Sequence, residues 1–373
     1  MRFSDIKGFE EEKKRLIHAI RNDHVAHAQM FLGKHGSPNL PLALAYATYV
    51  NCENPGEDDA CGVCPSCIKN QKYIHPDMHF VFPVASTAKI TGKDVVSTSF
   101  LAEWRAFLIN NPFGDINDWL GTFGGENKQG NISKEESRQI IKNLSLKAFE
   151  GKYKIMIIWL PELMHSSSAN AILKILEEPP EETLFLLVSN DSERLLTTIL
   201  SRTQIFKVRN FNDQELAEIL AEQHDLKGDQ SLQLARLSGG DLNKAVKLLS
   251  HVEDNNYHLF REWMRFCFQR DFTNLVQRSE DFHKMTKISQ RSFLEYGLNI
   301  IREALINPLN LEQLQRTVGE EIAFTENFGK VMSLEKVEYI YTKLNETHYH
   351  LERNASAKMA FLDLSLNIAK MIR

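Results

Sequence analysis

Four of the five cysteines in this 373-residue chain fall within sixteen residues, a spacing that can hold a metal ion. The four are Cys52, Cys61, Cys64 and Cys67, and the fifth, Cys267, stands alone. Because reducing conditions keep cytosolic thiols free, such a cluster in a cytosolic chain favours a metal over disulfides. Short loops let four thiolates converge on one tetrahedral zinc ion, and a full set of protein ligands leaves no position for a catalytic water. We therefore predict a structural zinc module; the alternative is four unrelated buried thiols.

Three basic residues are spaced four apart, so a helix would present them on one face: Lys134, Arg138 and Lys142. A helix is expected there because Ser133 and Glu136 fit a capping box at its start. Cations on one helix face can contact the phosphates of a nucleic acid. A solvated surface explains the same pattern equally well, since acidic residues stand among the basic ones. Both interpretations stay open at this point.

The elements that must position these residues alternate between apolar strands and helices in the first half of the chain. We predict strands at 28–32, 78–82, 154–159, 183–188 and 204–208, and helices at 9–22, 40–50, 133–149, 168–178 and 193–200. Strands that alternate with helices indicate a doubly wound α/β domain with a parallel sheet. The continuous apolar run at 154–159 is typical of a strand covered on both faces. Residues 84–131 show no regular pattern, and we take them as an insertion whose structure the sequence does not predict.

The rest of the chain has a helical pattern only. Helices are predicted at 212–224, 229–237, 241–250, 257–269, 290–306 and 355–372. A small helical unit at 211–252 and a larger helical domain at 253–373 are the natural division. The α/β domain then spans 1–210 and contains the zinc module at 52–67.

Composition and charge narrow the class of protein. The chain has 44 lysines and arginines against 49 aspartates and glutamates, a formal net charge of −5. Affinity for nucleic acid comes largely from cations that neutralise phosphates, so this balance argues against a stand-alone nucleic-acid binder. No segment approaches the run of about 20 apolar residues that spans a bilayer, and the first residues lack the apolar stretch of a signal peptide. We therefore expect a cytoplasmic protein with no membrane partner.

The α/β domain contains two recognisable motifs, LKILEEPP at 173–180 and TILSRT at 198–203. Both resemble motifs of the clamp-loader AAA+ family of bacterial DNA polymerase III, and the second is similar to the family's Ser-Arg-Cys motif with Thr203 in the last place. The four-cysteine insert, followed by His-Pro-Asp at 75–77, is similar to bacterial members of this family. The resemblance covers residues 1–250 well and extends more weakly to the end. It implies an AAA+ α/β domain with a P-loop-type parallel sheet, an all-α lid and an all-α collar that packs into a ring of subunits.

The loop after the first strand matches a nucleotide-binding loop only in part. A working P-loop reads G-x-x-x-x-G-K-[ST], in which backbone N–H groups and the lysine hold phosphates and the hydroxyl binds Mg²⁺. The sequence here is GKHGSPNL, which begins with Gly33 and also contains Gly36. Pro38 stands where the second motif glycine belongs, Asn39 replaces the lysine, and Leu40 removes the metal-binding oxygen. Because proline lacks an N–H and has a fixed φ, we expect no working phosphate loop.

The resemblance implies two further losses at the same site. Active relatives end a strand with an Asp-Glu pair that holds Mg²⁺ and activates water, and the alignment puts Trp159 and Leu160 there. Glu162 could be a displaced base, but it lies two residues late and follows a proline. The family's sensor arginine in the lid corresponds roughly to Asn243. Three separate losses predict that this chain does not hydrolyse ATP, against the alternative of a novel ATP site.

One residue of the family's catalytic site is kept: Arg202, which follows Ser201. In the family this arginine reaches the ATP of a neighbouring subunit and offsets charge that develops on the transferred phosphoryl group. The resemblance therefore implies an arginine finger that acts in trans. The alternative is a surface arginine paired with a carboxylate of its own chain. The resemblance also places Arg138 on a helix that lines the DNA-holding spiral of clamp loaders.

Together, the residues and the resemblance predict a non-catalytic clamp-loader subunit with structural zinc. Its expected partners are ATP-hydrolysing motor subunits and a delta subunit, with the sliding clamp and primed DNA reached through the assembly. Its expected role is to help load the clamp for processive replication. Two alternatives stay open, an active motor ATPase and a free-standing zinc-dependent DNA-binding protein. The missing lysine and Asp-Glu pair argue against the first, and the net charge of −5 argues against the second.

Overall fold

The computed structural model describes residues 1–372 apart from 126–127, 145–146, 225, 227, 251–255, 307–323, 326, 330–331 and 354. The chain divides into two compact units, Met1–Lys247 and Leu248–Arg373. The predicted boundary between lid and collar, at 252 and 253, lies outside the described residues. Each unit has its own buried apolar core.

A five-stranded parallel sheet forms the centre of the first unit, in the order β2-β3-β4-β1-β5. The strands are β1 Ala28–Gly33, β2 Met78–Val81, β3 Lys154–Trp159, β4 Thr183–Ser189 and β5 Gln204–Val208. Every residue of β3 and β4 is buried, as expected for central strands of a sheet covered on both faces. The predicted parallel α/β sheet is confirmed: β3 and β5 have the predicted bounds, and the other strands differ by one residue at their ends.

Helices pack on both faces of this sheet, with α6 and α7 on one face and α2 on the other. The helices that begin in the first unit are α1 Glu10–Arg21, α2 Asn39–Val50, α3 Pro65–Gln71, α4 Leu101–Asn110, α5 Ile116–Gly121, α6 Lys134–Leu144, α7 Ser166–Glu177, α8 Thr197–Leu200, α9 Asp213–His224, α10 Gly228–Ser238 and α11 Leu242–Ser250. On β1, Met30 faces the core formed with α6 and α7, whereas Phe31 contacts Tyr46 of α2 on the opposite face. Helix α2 is buried along its whole length because it is apolar on all sides.

The insertion at 84–131, for which the sequence predicted no structure, contains α4 and α5 and is closed at its base. Its two end residues exchange backbone hydrogen bonds of 2.9 and 3.1 Å. Trp104 of α4 is fully buried and stacks on Phe82, which follows β2, with ring centroids 4.2 Å apart. Trp119 of α5 meets Trp104 edge-on at 5.0 Å. This aromatic cluster fixes the insertion to the carboxyl edge of the sheet.

The second unit contains helices only among its described residues. They are α12 Asn256–Gln269, α13 Phe272–Lys284, α14 Lys287–Ile306, α15 Leu334–Glu352 and α16 Ala357–Met371. Phe361 of α16 stacks on Phe282 of α13 at 4.2 Å, within an aromatic core that also holds Cys267. Burial raises the pKa of the Cys267 thiol, as expected for a cysteine that packs as a small apolar residue. None of the described helices is long and apolar enough to cross a membrane.

Candidate functional site

The loop that resembles a P-loop joins β1 to α2, and its key residues bond to protein atoms. Asn39, in place of the usual lysine, donates hydrogen bonds from Nδ2 to Ser189 O at 3.1 Å and to Asn190 Oδ1 at 2.9 Å. The amide therefore ties the start of α2 to the end of β4. Leu40 is buried in the apolar core, and Pro38, as the N-cap residue of α2, supplies no N–H.

The end of β3, where active relatives carry the Asp-Glu pair, is aromatic and apolar. Trp159 is 3% exposed and packs against Trp104 and Phe107 of α4, with ring centroids 5.1 and 5.9 Å away. Leu160 is also buried. Glu162 accepts a 2.9 Å hydrogen bond from the backbone that follows β4, and burial raises the pKa of its carboxyl. In this arrangement Glu162 joins two strand ends.

Residues 112–118, which link α4 to α5 and include the first turn of α5, lie beside the loop; we call them the plug segment. The cavity left between the plug segment and the loop has a volume of about 20 Å³. It is lined by residues that include His35, Gly36, Asn39, Phe113 and Trp159. Small-molecule pockets have volumes of roughly 300–1,000 Å³, so the remaining space is more than tenfold smaller.

Two carboxylates of the plug segment pair with the lid helix α11. Lys247 Nζ lies 2.8 Å from an oxygen of Asp115 and 2.8 Å from an oxygen of Asp118. Asn243, at the predicted sensor position, donates a 2.6 Å hydrogen bond to Asp118. Burial alone would raise the pKa of Asp115, but the Lys247 ammonium and backbone N–H groups lower it. Burial by itself would lower the pKa of Lys247, but the neighbouring carboxylates raise it, so Asp115 and Lys247 both stay charged at neutral pH.

A third carboxylate, that of Asp241 just before α11, lies against the loop. A Cβ added to Gly36 would stand 2.0 Å from Asp241 Oδ1, and Gly36 has a φ of +75°, so both space and backbone require glycine here. Burial raises the pKa of Asp241, although Lys244 N donates a 2.8 Å hydrogen bond to it. The close approach of Asp241 to Gly36 brings the start of α11 against the loop.

The four clustered cysteines meet near the start of α3, as predicted. Their Sγ atoms all lie within 4.8 Å of one another, and Cys67 Sγ is 3.9 Å from Cys61 Sγ and 3.6 Å from Cys52 Sγ. Zn–S bonds of about 2.3 Å put the sulfurs of a tetrahedral site about 3.8 Å apart. The geometry of the cluster therefore fits zinc.

Backbone N–H groups point at the sulfurs of this cluster. The N–H groups of Cys61, Cys64 and Cys67 donate to the Sγ atoms of Cys52, Cys61 and Cys64 at 3.3, 3.3 and 3.4 Å. The N–H groups of Val63 and Cys64 lower the pKa of Cys61 to about 6, whereas burial raises the pKa of Cys67. N–H···S bonds favour the thiolate, which is the form that binds a metal.

Comparison of the sequence with known proteins identifies the family of this chain. A sequence profile of the family described as DNA polymerase III, delta subunit, matches residues 8–212, more than half of the chain. The chain belongs to this clamp-loader family. It is 26% identical to the delta' subunit of Bacillus subtilis over 244 residues, 65% of this chain and 59% of that one. It is also 26% identical to the tau subunit of Escherichia coli over 251 residues, 66% of this chain and 32% of that one.

The predicted resemblance to the clamp-loader AAA+ family is thus confirmed. The matched region spans less than two thirds of the length of these curated relatives. Among solved structures, a DNA polymerase III gamma subunit-related protein of Thermotoga maritima has a TM-score of 0.42 at 16% identity. That comparison covers 96% of this chain and 99% of the other.

Arg202, for which the resemblance predicts an action in trans, lies at the surface just after α8. Arg202 donates to Thr198 O at 3.0 Å and to Ser201 Oγ at 3.3 Å, and its second terminal nitrogen pairs with Glu177 at the end of α7. The Arg202 side chain is 33% exposed. Arg202 therefore makes an ion pair within its own chain, which is the alternative to an action in trans. The action in trans stays a prediction.

Helix α6 of this family member presents its basic residues to solvent, as their spacing predicts. Lys134, Arg138 and Lys142 are exposed on one side of the helix, and phosphate contact by them stays a prediction. Glu136, in contrast, is 1% exposed and accepts a 2.7 Å hydrogen bond from Ser97 N. Its carboxyl group therefore binds the backbone of the insertion and does not complete the predicted capping box.

Sequence reasoning missed the plug segment and its contacts with α11. The available signal was the pair Asp115 and Asp118, which fits a helix start: Asp115 accepts hydrogen bonds from Asn117 N and Asp118 N at 2.8 and 3.0 Å. A second signal was the i, i+4 spacing of Asn243 and Lys247, which puts both on one face of α11. Neither pattern indicates which residues the side chains contact, because 125 to 132 residues separate the contacting groups along the chain.

Proposed function

We propose that this chain is a delta-prime-type subunit of the bacterial DNA polymerase III clamp loader that does not itself turn over ATP. It works in the cytoplasm with ATP-hydrolysing motor subunits and a delta subunit, and helps load the sliding clamp onto primed DNA. Family membership supports the clamp-loader part, and the delta' relatives support the subunit type. The division into an α/β domain at 1–210, a lid at 211–252 and a collar at 253–373 belongs to the same proposal.

The observation that carries the proposal is a nucleotide site filled by protein. A nucleotide would have to displace the plug segment, whose Pro112, Phe113 and Asp115 line the small cavity that remains. Asn39 and Trp159 stand where active relatives have a lysine and an acid, and both are engaged in contacts of their own. Without a phosphate-binding cation, a Mg²⁺ ligand and a water-activating carboxylate, the groups that supply most of the rate of phosphoryl transfer are missing.

Arg202 is the residue we propose to act on a neighbouring subunit. Its planar, permanently charged guanidinium suits phosphate oxygens, and a finger of this kind can supply a factor of about 10³–10⁵ in rate. To reach a neighbour's ATP it must leave Glu177, and an exposed ion pair of this kind costs only about 0–1 kcal/mol to break. The pair with Glu177 is then a resting contact that assembly replaces.

Two further parts of the proposal concern metal and DNA. The four cysteines bind one zinc ion whose role is structural, because the complete ligand set leaves no open coordination position. The exposed face formed by Lys134, Arg138 and Lys142 contacts DNA phosphates within the assembly, where neighbouring subunits offset the chain's net charge of −5.

A second candidate function is that of an ATP-hydrolysing loader subunit. The 26% identity to the tau subunit of Escherichia coli favours it. The filled site and the replaced lysine weigh against it. ATP turnover by the isolated chain separates the two candidates.

The test is ATP turnover by the chain alone and in a mixture with its own organism's motor and delta subunits, clamp and primed DNA. We expect no turnover alone, strong turnover in the mixture, and a loss of at least about tenfold with Arg202→Ala, because a finger supplies about 10³–10⁵ in rate. Arg194→Ala is the matched control, since Arg194 is an exposed arginine shortly before α8. Turnover that co-purifies with the isolated chain would overturn the proposal, and equal turnover by both variants would overturn the role of Arg202.

A further inference from the structure

The plug segment touches both parts that a nucleotide site normally brings together. On one side it packs against the loop after β1, leaving a cavity of about 20 Å³. On the other, Asp115 and Asp118 meet Lys247 and Asn243 of α11. Phe113 also contacts Phe211, which lies between β5 and α9, with ring centroids 6.0 Å apart. The segment therefore bridges the α/β core and the helices that follow it.

We infer that the plug segment is the permanent, built-in occupant of the former nucleotide site and holds the lid to the core without any nucleotide. Its two carboxylates present anionic oxygens to the lid cation in the way that bound phosphates would. The inference rests on the proposed function in one respect, since a site that turned over ATP could not keep a protein segment inside it. The insertion then has a task beyond filling the site, which is to fix the lid.

The geometry of the segment suits that task because its carboxylates are fixed before they meet the lid. Asp115 caps α5 by accepting from Asp118 N at 3.0 Å, and Asp118 accepts in return from Asp115 N at 2.9 Å. A reciprocal cap of this kind holds both side chains in one conformation. Lys247 then meets two oriented carboxylates and loses little further freedom on binding, so the contact gains from preorganisation.

The base of the segment is equally fixed. Helix α4 on one side and α5 on the other carry Trp104 and Trp119, both fully buried in the aromatic cluster. Trp159, at the end of β3, packs on Trp104 and also lines the cavity. The residue that stands in place of the catalytic acid thus anchors the segment that fills the site.

The test is amide hydrogen exchange of the full-length chain, read by mass spectrometry without nucleotide or partner subunits. The variant Asp115→Asn/Asp118→Asn removes both charges, and asparagine remains a good helix cap. We expect amides of α9 and α11 to exchange about tenfold faster or more, because losing a partly buried ion pair lowers the local opening free energy, while β1 and β4 stay unchanged. The matched control is Asp94→Asn/Glu103→Gln, which makes the same charge change elsewhere in the insertion.

A second variant keeps the test decisive if the first does not fold. Lys247→Met removes the same ion pairs from the lid side, and it should speed exchange in the same helices. Combining it with the double Asp variant should add little, because both remove one shared interaction. Exchange in α9 and α11 that equals the control, or effects that simply add, would overturn the inference. Neither result bears on Arg202 or on ATP turnover, so failure here is distinct from failure of the proposed function.

Discussion

Arg202 has one partner in its own chain and a proposed second one on a neighbour, and the exchange between them can be measured. Glu177→Gln removes the charge that holds Arg202 at rest. We expect ATP turnover in the mixture, at limiting amounts of this chain, to rise by up to about fivefold, because an exposed ion pair is worth about 0–1 kcal/mol. The measurement is turnover as a function of added chain.

The neighbouring residue offers a control for that variant. Glu178 is also exposed, so Glu178→Gln changes charge at nearly the same place and should leave turnover unchanged. If Glu177→Gln instead lowers turnover as Arg202→Ala does, the ion pair orients Arg202 for its role and the idea of a resting contact is wrong.

Glu136 should make the stability of the first unit depend on pH. Burial raises the pKa of its carboxyl from 4.5 to about 7, against the hydrogen bonds from Ser97. The folded state therefore keeps a proton that the unfolded state has lost, so this contribution is complete below pH 4.5 and is lost as the pH rises through 7.

Glu136→Gln removes that dependence, since glutamine does not ionise and can still accept the hydrogen bond from Ser97 N. We expect the variant to match the wild type near pH 4 and to exceed its free energy of unfolding by about 3 kcal/mol near pH 8. Urea unfolding at both pH values checks this, with Glu135→Gln on the same helix as the control. A constant difference between wild type and variant at both pH values would contradict it.

At the scale of an element, the zinc module should depend on each of its cysteines. Cys64 is both the N-cap residue of α3 and a member of the cluster. We expect Cys64→Ser to bind less than about 0.2 equivalents of zinc and to lower the melting temperature, because metal binding and local folding are coupled. Cys267→Ala, at a buried cysteine outside the cluster, should keep about one equivalent. Metal analysis of reduced protein gives the ratio, and a full equivalent in Cys64→Ser would refute the four-cysteine site.

Elements whose signal is local could be predicted from the sequence, and those that depend on distant partners could not. Strand β3 has its predicted bounds because a continuous apolar run needs no partner to be recognised. The cluster of four cysteines could be predicted because its members lie within sixteen residues of one another, which makes this signal local as well. The plug segment was missed because Lys247, which pairs with Asp115, lies 132 residues away along the chain. Glu136 was assigned to its own helix cap for the same reason, since Ser97 is 39 residues away.

At the scale of the whole molecule, the filled site predicts that added nucleotide does not change the thermal stability of the chain. A ligand present at 100 times its Kd stabilises a protein by about 2.7 kcal/mol, which shifts a melting temperature by several degrees. We expect millimolar Mg-ATP to leave the melting temperature of this chain unchanged, while a motor subunit from the same organism shifts upward. A calorimetric scan with and without nucleotide measures both, and a dose-dependent rise for this chain would mean that ATP enters despite the plug segment.

The aromatic cluster at the sheet edge also gives the molecule an optical signature. Three of the four tryptophans, Trp104, Trp119 and Trp159, lie in that cluster, and the fourth, Trp263, lies in the second unit. With Trp263→Phe, all remaining tryptophan emission comes from the junction of the sheet edge and the insertion. Ring centroids 5.0 and 5.1 Å apart bring these indoles close enough for their excited states to couple, so near-ultraviolet circular dichroism reads that junction directly. The tryptophan signals therefore report on the contact between the sheet and the insertion without an added label.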